Sequence, residues 1–299
     1  MTGSPLSDDL HARLVTAGLD PVAVVALARA TLAEDLALGP DVTTESTIGP
    51  EVTGKGVLVT RAPGVLAGVA VAASVLEVLA ADTGADVRVR IELPDGVRVA
   101  PGDVVLRAAG PTRTLLTAER TMLNLVGMLS GVATLTARWV DAVAASSAKV
   151  RDTRKTVPGL RALQKHAVRC GGGVNHRMAL GDAALIKDNH VAATGGVRAA
   201  YEAVRRHAPH LEVEGEVATL EQLREAVDAG ATLVLLDNMT PDMMREAVAV
   251  ARPRGVRLEA SGGLTLDCAA EVAGTGVDYL AVGALTHSAA VLDLGFDLS

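Results

Sequence analysis

The fold is decided by residues 211–263, LEVEGEVATLEQLREAVDAGATLVLLDNMTPDMMREAVAVARPRGVRLEASGG. Three short apolar runs alternate here with two longer amphipathic runs. A strand followed by a helix at this spacing predicts βα units and therefore a parallel sheet. The same alternation begins near Lys149 and continues to the last predicted strand. Strands are predicted near 150 and at 183–186, 211–213, 232–236, 256–258 and 279–282, and helices at 160–169, 196–208, 219–229, 241–251 and 265–274.

About six such units predict an α/β fold with an open, incomplete TIM-like barrel. A doubly wound sheet is the rival architecture, but no GxGxxG sequence follows the first strand. In a barrel, the side chains at the carboxyl ends of the strands converge on one rim. Charged or polar residues end almost every predicted strand, which favours a functional rim over a purely structural barrel.

The first part of the chain has a different pattern. Asp20 and Pro21 predict the start of a helix that ends near Leu36, because Asp is a favoured N-cap and Pro suits the first helical position. Strands at 54–61, 86–93 and 103–109 surround one helix at 69–81, which predicts an α+β sandwich-like layer. The remaining expectations are a loosely held segment at 1–18, a loop at 39–47, and a helix at 112–146 broken near Gly127 and Gly131. We predict two domains, with 1–128 and 288–299 in the first and 129–287 in the second.

Composition excludes several function classes. The chain has 299 residues, a formal charge of −7 and only 1% aromatic residues. The negative charge disfavours a duplex-binding protein, and the scarcity of aromatic side chains disfavours a single-strand binder, so no nucleic-acid partner is expected. No apolar run is long enough to span a membrane, and no signal peptide is recognised. Cys170 and Cys268 have no metal-binding or disulfide spacing, which fits a reducing cytoplasm.

Basic residues are concentrated within 151–190, RDTRKTVPGLRALQKHAVRCGGGVNHRMALGDAALIKDNH. A local cationic cluster in an acidic chain predicts a pocket for a small, highly anionic ligand. Arg161, Lys165 and Arg169 lie on a predicted helix and are interpreted as ordinary helix-surface charges. Five candidates remain at strand ends or in the adjoining loops: Arg154, Lys155, His176, Arg177 and Lys187.

Acidic residues follow two neighbouring strands. Glu214, Glu216 and Asp237 could pair with the cations across the rim. Alternatively, one or two of these carboxylates could hold Mg²⁺, with substrate phosphates and water completing the coordination shell. Glu216 or Asp237 could also stabilise a positively charged sugar in a transition state.

Glycine-rich turns follow the last two strands of the predicted barrel. Ser261, Gly262 and Gly263 precede a helix, and Gly283 follows the last strand. Backbone N–H groups at such positions bind phosphate, and barrels often place a phosphate site after their late strands. An ordinary tight turn is the simpler interpretation of each glycine.

Together, cations, carboxylates and phosphate-binding turns predict a phosphorylated, metal-bound substrate and a second anion. Phosphoribosyl transfer fits this combination. Two other functions stay open. Lys187 could form a Schiff base in an aldolase, and a non-catalytic protein could sense a phosphorylated metabolite without consuming it.

Several segments, in order along nearly the whole chain, resemble motifs of the quinolinate phosphoribosyltransferase family. They are GPDVTT (39–44), AERTMLNL (118–125), DTRKTVPGLR (152–161), GGGVNHRMALGDAALIKDNH (171–190), EGEV (214–217), LLDNM (235–239), EASGGL (259–264) and VGALTHS (282–288). The resemblance implies an α/β layer, an open barrel and a homodimer with shared active sites, with a higher oligomer left open. It also implies an enzyme that joins quinolinate to 5-phosphoribosyl 1-pyrophosphate (PRPP) with Mg²⁺ as cofactor. The products would be nicotinate mononucleotide, pyrophosphate and CO₂. A molybdenum-linked relative shares the fold, so the choice of substrate depends on the cationic pocket.

The resemblance also implies a role for each matching residue. Arg154, Lys155, His176, Arg177 and Lys187 would line the quinolinate pocket, and Arg120 would reach into the pocket of the partner subunit. Glu216 and Asp237 would face the ribose and the metal. Lys155, Lys187, Glu216 and Asp237 are the implied catalytic residues, and Ser261, Gly262, Gly263 and Gly283 would hold the 5-phosphate.

This chain departs from the family pattern at three positions. Val157 stands where Thr is usual, Ala179 replaces a usual Gly, and Gly215 replaces an apolar residue. Because glycine weakens a strand, Gly215 leaves the orientation of Glu216 open.

Overall fold

The computed structural model describes residues 4–299. Residues 1–3, which belong to the predicted first domain and to the predicted loose segment, lie outside the described part. The chain forms two compact units. The first comprises the chain up to Leu135 together with Ala162–Gly172 and Ala289–Ser299, and the second comprises Thr136–Arg161 and Gly173–Ser288. Residues 162–172, which the predicted boundaries assign to the barrel domain, therefore lie in the first unit.

The first unit contains an antiparallel sheet and a buried helix. Four strands pair in the order β12-β1-β5-β3, and β2 pairs with β4. Helix α4 contacts this sheet on one side and α1 and α2 on the other. Eleven of its 15 residues are buried, as expected of a helix covered on both sides. The elements of this unit are α1 (Asp8–Thr16), α2 (Pro21–Asp35), α3 (Val42–Thr47), β1 (Thr53–Thr60), β2 (Gly64–Val65), α4 (Val69–Thr83), β3 (Arg88–Ile91), β4 (Arg98–Val99), β5 (Val104–Pro111), the greater part of α5 (Thr112–Ala142) and of α6 (Arg161–Cys170), and β12 (Leu294–Leu298).

Two sequence predictions near the N-terminus are wrong. Residues 8–16 form helix α1, whose N-cap Ser7 accepts a hydrogen bond from the Leu10 N–H and whose Leu10 and Leu14 are buried. Part of the predicted loop at 39–47 is helix α3, which is capped by Asp41. In both cases a local cap and a few tertiary contacts stabilise a helix that is too short for a clear periodic pattern.

The predicted break in the long helix is also wrong. Helix α5 continues through Gly127 and Gly131 for 31 residues. A β-carbon at Gly127 would lie 2.9 Å from Val291 Cγ1 and 3.0 Å from the Leu292 carbonyl oxygen, and one at Gly131 would collide with the carbonyl oxygen of Ala290. These glycines allow the chain at 290–292 to approach the helix closely, so they serve packing and do not interrupt the helix.

The second unit is built on six parallel strands. They pair in the order β6-β11-β10-β9-β8-β7, so that the strands from β7 to β11 follow one another and the last pairs with the first, β6. No pairing joins β6 to β7 among the described residues, although Val174 forms a single parallel bridge with Arg151. This connectivity is that of an open barrel, as predicted. Its elements are β6 (Lys149–Arg151), β7 (Ala184–Ile186), α7 (Asp188–Thr194), α8 (Val197–His207), β8 (Val213–Val217), α9 (Leu220–Asp228), β9 (Leu233–Asp237), α10 (Pro241–Ala251), β10 (Arg257–Ser261), α11 (Ala269–Ala273), β11 (Tyr279–Ala281) and α12 (Ala284–His287).

Strands β8 and β10 extend further than the sequence predicts. The apolar runs end at Val213 and Leu258, but both strands continue through residues that include Glu214 and Glu259. Glu214 is 3% exposed and Glu259 is fully buried. The prediction failed because it treated charged residues as the end of a buried strand.

Gly215 is explained by the packing around it. It pairs with Ile186 and Val234 within the sheet, and a β-carbon at this position would collide with the buried Tyr201 of helix α8. Strand alternation directs position 215 to the side opposite Glu214 and Glu216. The glycine therefore accommodates Tyr201 without interrupting the strand.

Among residues 4–299, no single helix has both the length and the apolar composition needed to cross a membrane. Helices α1 and α2 together, bent by 109°, satisfy those two criteria as a pair.

We expect Gly131→Ala to destabilise the protein. The added methyl group meets the backbone carbonyl of Ala290, which cannot move aside like a flexible side chain. Overpacking costs about 1–3 kcal/mol, and a backbone collision belongs to the upper part of that range, above the roughly 1 kcal/mol that alanine gains over glycine in a helix. Urea unfolding measures the difference. Asn124→Ala is the control, because it places the same residue at an exposed position of the same helix. Equal stability of Gly131→Ala and the wild type would contradict the close approach.

Candidate active site

All six strands of the second unit end at the same edge of the sheet, because they are parallel. The polar residues that follow or end the strands therefore share one rim. They are Asp152, Arg154 and Lys155 after β6, Lys187 after β7, Glu216 in β8, Asp237 and Asn238 at β9, Ser261, Gly262 and Gly263 at β10, and Gly283 after β11.

Below this rim the barrel interior contains a layer of buried charges. Arg151 Nη1 lies 2.7 Å from Glu259 Oε2. His176 Nε2 lies 2.9 Å from Glu214 Oε2 and 3.7 Å from Glu259 Oε1. The layer thus joins two carboxylates, one guanidinium group and one imidazole, which is a way of satisfying charges that would otherwise be costly to bury.

Burial raises the pKa of Glu214 and that of Glu259 to about 7 each. For Glu259 the negative charge of Glu214 is the next largest cause, and Arg151 opposes it. One carboxyl oxygen of each residue is buried without a hydrogen-bond partner. The two buried carboxyl groups therefore gain or lose protons near neutral pH, and they do so as a coupled pair.

The imidazole of His176 is oriented from both sides. The Arg177 backbone N–H donates to Nδ1 at 2.6 Å, so Nε2 carries the proton and donates to Glu214. The side chain is 8% exposed and points into the charged layer. The carboxylate of Asp152 accepts hydrogen bonds from the His176 N–H at 2.8 Å and the Asn175 amide at 2.5 Å, which holds this segment beside β6.

Two arginines of the rim lie close enough to repel each other. Burial lowers the pKa of Arg177, and the positive charge of Arg154 lowers it further. Arg177 Nη1 donates to the Ala183 carbonyl at 3.0 Å. The Nε atoms of both arginines are buried and have no hydrogen-bond partner. Buried N–H donors without a partner, next to a second positive charge, are suited to binding an anion.

The segments that follow the first strand, β6, and the last strand, β11, lie close together at Lys155 and Gly283. A β-carbon at Gly283 would lie 3.1 Å from Lys155 Cδ and 3.2 Å from His287 Nε2. The Thr286 hydroxyl donates to the Lys155 carbonyl at 2.8 Å. The side chain of Lys155 thus crosses the turn after β11, where a larger residue than glycine would displace it.

Lys187 and Glu216 form an ion pair across the ends of β7 and β8, with Nζ 2.8 Å from Oε2. Glu216 is therefore held in a defined orientation despite its neighbour Gly215. Asp237 ends the adjacent strand β9 and accepts from the Asn238 amide at 3.0 Å. Glu216 and Asp237 are partly exposed carboxylates on neighbouring strands, which is the donor set that Mg²⁺ uses with phosphate and water ligands.

A second group of possible metal ligands lies deeper. His176, Glu214 and Glu259 have donor atoms within 4.8 Å of one another. These donors already bind one another and Arg151 in the buried layer. Because Mg²⁺ prefers oxygen ligands and keeps several waters, the exposed pair of Glu216 and Asp237 suits it better.

The turn after β10 has the backbone conformation that glycine favours. Gly262 and Gly263 have φ values of 92° and 61°. A β-carbon at Gly262 would collide with the Asn238 side chain. The backbone N–H of Asn238 donates to the Ser261 carbonyl at 2.9 Å. The turns after β9 and β10 are thus packed together, and Gly263 faces open space.

The structure brings most of the predicted site residues to this rim of the second unit. Two residues are exceptions. Arg120 is an exposed residue of α5 in the first unit, and the ring of His176, which the resemblance placed in the quinolinate pocket, points into the buried layer. Arg151, Asp152 and Glu259 were absent from the predicted substrate and catalytic set, and Glu214 was considered only as a possible ion-pair partner or Mg²⁺ ligand. A signal was available, because Glu214 and Glu259 precede Glu216 and Ser261 by two residues, the spacing that directs strand residues to one face.

The chain matches two family models that together cover most of its length. Residues 41–130 match the N-terminal domain of quinolinate phosphoribosyl transferase, and residues 132–297 match its C-terminal domain.

Curated proteins give the same result. The chain is 55% identical over 275 residues to the nicotinate-nucleotide pyrophosphorylase (carboxylating) of Mycobacterium leprae, covering 90% of this chain and 95% of that protein. It is 41% identical over 267 residues to a probable nicotinate-nucleotide pyrophosphorylase (carboxylating) of Bacillus subtilis, covering 89% and 90%.

Solved structures share the fold. The nicotinate-nucleotide pyrophosphorylase of Francisella tularensis superposes with a TM-score of 0.87 at 38% identity, covering 93% of this chain and 96% of that one. NadC from Streptococcus pyogenes gives 0.88 at 38% identity, covering 94% and 98%. From its sequence and its architecture alike, the chain belongs to the quinolinate phosphoribosyltransferase family.

Proposed function

We propose that the protein transfers the 5-phosphoribosyl group of PRPP to the ring nitrogen of quinolinate, with release of pyrophosphate and CO₂, to give nicotinate mononucleotide. Membership of the family supports this reaction. The observation that carries it is the pair formed by Arg154 and Arg177, whose buried Nε–H groups have no partner. Such a pair suits a small molecule with more than one negative charge.

The basic residues of the rim would hold quinolinate. Arg154 and Arg177 can each donate to one carboxylate, and Lys155 adds a positive charge nearby. His176 would serve this pocket by positioning Arg177, the next residue in the chain, because its own ring is directed at Glu214. Fixing both carboxylates would orient the ring nitrogen toward the ribose carbon that it attacks.

The acidic residues would act on the sugar. As pyrophosphate departs, the ribose gains positive charge, and a carboxylate placed beside it stabilises that charge. Glu216 and Asp237 lie at neighbouring strand ends, where both could serve. Lys187 holds Glu216 by an ion pair and would also face a substrate anion.

Glu216 and Asp237 would also hold Mg²⁺, together with oxygens of PRPP. When bound, this ion neutralises the charge of the departing pyrophosphate. The 5-phosphate would bind the backbone N–H groups of Ser261, Gly262 and Gly263 and of Gly283.

Bonding of the ring nitrogen to ribose makes that nitrogen positively charged. The bond between the ring and its adjacent carboxylate can then break, and its electron pair stays on the ring carbon beside the cationic nitrogen. CO₂ leaves, and the carbon takes up a proton to give nicotinate mononucleotide.

A homodimer is part of this proposal, with Arg120 of each subunit completing the active site of its partner. The exposure of Arg120 supports this role, as does its place in the AERTMLNL segment that resembles the family motif. We place the enzyme in the cytoplasm, where its two free cysteines would stay reduced.

An aldolase is less well supported. Lys187 is bound to Glu216 and its side chain is 50% exposed, whereas Schiff-base lysines are usually desolvated or placed beside another cation. A metabolite sensor would bind PRPP without releasing pyrophosphate, so a pyrophosphate-release assay with quinolinate and Mg²⁺ separates it from the enzyme.

We expect Arg177→Ala to lower kcat/KM for quinolinate at least about a hundredfold, because a charged donor that meets the substrate is lost. Ultraviolet detection of nicotinate mononucleotide measures this effect. Arg245→Ala, which removes an exposed arginine of α10, is the control and should leave activity unchanged. Normal turnover of quinolinate by a folded Arg177→Ala variant would refute the pocket.

The shared site can be tested with mixed subunits. Arg120→Ala and Arg177→Ala should each be inactive alone. A mixed dimer regains one intact site of two, so random re-association of equal amounts should restore about a quarter of wild-type activity. The mixture is unfolded and refolded, and each variant refolded alone is the control. An inactive mixture that contains mixed dimers would argue against the crossing of Arg120.

The buried carboxyl pair predicts a pH dependence of stability. Folding raises the pKa of Glu214 from an ordinary 4.5 to about 7, so the folded state holds a proton that the unfolded state has lost. Stability from this group therefore falls as pH rises from about 4.5 to 7 and is constant above. Glu214→Gln removes this titration, so its free energy of unfolding relative to wild type should improve from pH 5 to pH 8. Urea unfolding at both pH values tests this, and an unchanged difference would contradict it.

A further inference from the structure

A second cluster of metal-binding side chains lies in the first unit. Asp95, in the turn between β3 and β4, accepts a hydrogen bond from His166 of α6, with Oδ2 2.7 Å from Nε2. Cys170 Sγ lies 3.4 Å from the same nitrogen. Donor atoms of the three residues all lie within 4.8 Å of one another. One imidazole nitrogen therefore lies close to both a sulfur and a carboxylate oxygen. The sulfur is also 4.0 Å from Nδ1, so a rotation of the Cys170 side chain would be needed to bring it in front of Nε2.

Local structure holds the three side chains in place. His166 and Cys170 are four residues apart on α6, which puts them on one face of the helix. Asp95 Oδ1 accepts from the Val69 N–H at 2.9 Å, so the carboxylate has a fixed orientation. Burial would raise the pKa of Asp95, but hydrogen bonds from His166 and the backbone keep it below its ordinary value. The carboxylate is thus ionised, as a metal ligand must be.

The cluster borders a cavity of about 620 Å³ within the same unit. Two arginines also line the cavity, but each has a partner: Arg13 binds Asp9 at 2.7 Å, and Arg169 donates to the Ala17 carbonyl at 2.7 Å. A cation could therefore reach the three ligands from the cavity, which would leave a fourth coordination position open.

The donor set selects the kind of cation. Sulfur, nitrogen and oxygen donors together suit Zn²⁺, whereas Mg²⁺ takes oxygen ligands. In a tetrahedral zinc site, neighbouring ligand atoms lie roughly 3.3–3.6 Å apart. The Sγ–Nε2 distance of 3.4 Å lies within this range. The distance from His166 Nε2 to Asp95 Oδ2, now 2.7 Å, would increase by about 0.6 Å as the metal replaces the shared proton.

A catalytic thiol is a poorer interpretation of the same residues. Burial, and after it the charge of Asp95, raise the pKa of Cys170 to about 12. A thiol of this kind is inert as a nucleophile. Bound zinc would replace the proton and stabilise the thiolate directly.

We propose that Asp95, His166 and Cys170 form a Zn²⁺ site with three protein ligands in the first unit. The thiolate and the carboxylate would balance the charge of the ion. The bound metal would link α6 to the turn between β3 and β4. The proposed reaction assigns no role to these residues, so the zinc site stands independently of it.

Cobalt binding tests the site directly. Untagged protein is stripped with a chelator and titrated with Co²⁺. We expect one Co²⁺ per chain, visible bands typical of tetrahedral geometry, and a thiolate-to-cobalt charge-transfer band in the near ultraviolet. Equimolar Zn²⁺ should displace the cobalt and raise the melting temperature.

Variants identify the ligands. Cys170→Ser should abolish the charge-transfer band and the zinc-dependent rise in melting temperature. Asp95→Asn, which keeps an oxygen acceptor for Val69, should weaken Co²⁺ binding at least tenfold. Cys268→Ser alters the other cysteine of the chain and should behave like the wild type.

Three results would overturn the proposal: no binding by the wild type, a charge-transfer band that persists in Cys170→Ser, or a band that is lost in Cys268→Ser. A fall in melting temperature for Asp95→Asn without any metal effect would identify the cluster as a structural ion pair only. Pyrophosphate release is measured separately, so failure of the zinc site and failure of the proposed reaction remain distinguishable.

Discussion

The pairing of Arg151 with Glu259 inside the barrel supports much of the second unit. Glu259 is fully buried, and a lone carboxylate there would be strongly unfavourable. Arg151 neutralises it, and His176 joins it to Glu214. Because the His176 ring and backbone are held from three directions, the next residue, Arg177, is held as well. The rim that we propose to bind substrate thus depends on charges that do not reach the solvent.

Depth separates two kinds of charge in this barrel. The buried layer contains charges that pair with one another, although one oxygen of each carboxyl group has no hydrogen-bond partner. Burial raises the pKa of both carboxyl groups to about 7. The rim contains donors that are not fully satisfied, most clearly the Nε atoms of Arg154 and Arg177. A protein with a net charge of −7 can therefore present a local positive site, since Glu214 and Glu259 are paired below the rim and Glu216 is paired with Lys187.

Local signals predicted the parts of the fold that local physics controls. Asp20 and Pro21 begin a helix because the cap is formed within three residues. The apolar runs gave the order of the parallel strands and hence the rim, with most candidate residues on it. Gly127 and Gly131 were misinterpreted because their neighbour, the chain at 290–292, is distant in sequence. The ends of β8 and β10 were misplaced because a buried glutamate resembles a strand end until its partner is known.

By itself the sequence determined the βα alternation, the open barrel and the set of basic residues at strand ends, because periodicity and chain order dictate which residues reach one rim. Tertiary structure alone decided which charges are buried and paired. It placed Arg151 against Glu259, and it brought Asp95 to His166 across 71 residues of chain. The physical reason is that a pKa, an ion pair or a ligand set depends on distances between side chains, and those distances exist only after the chain has folded.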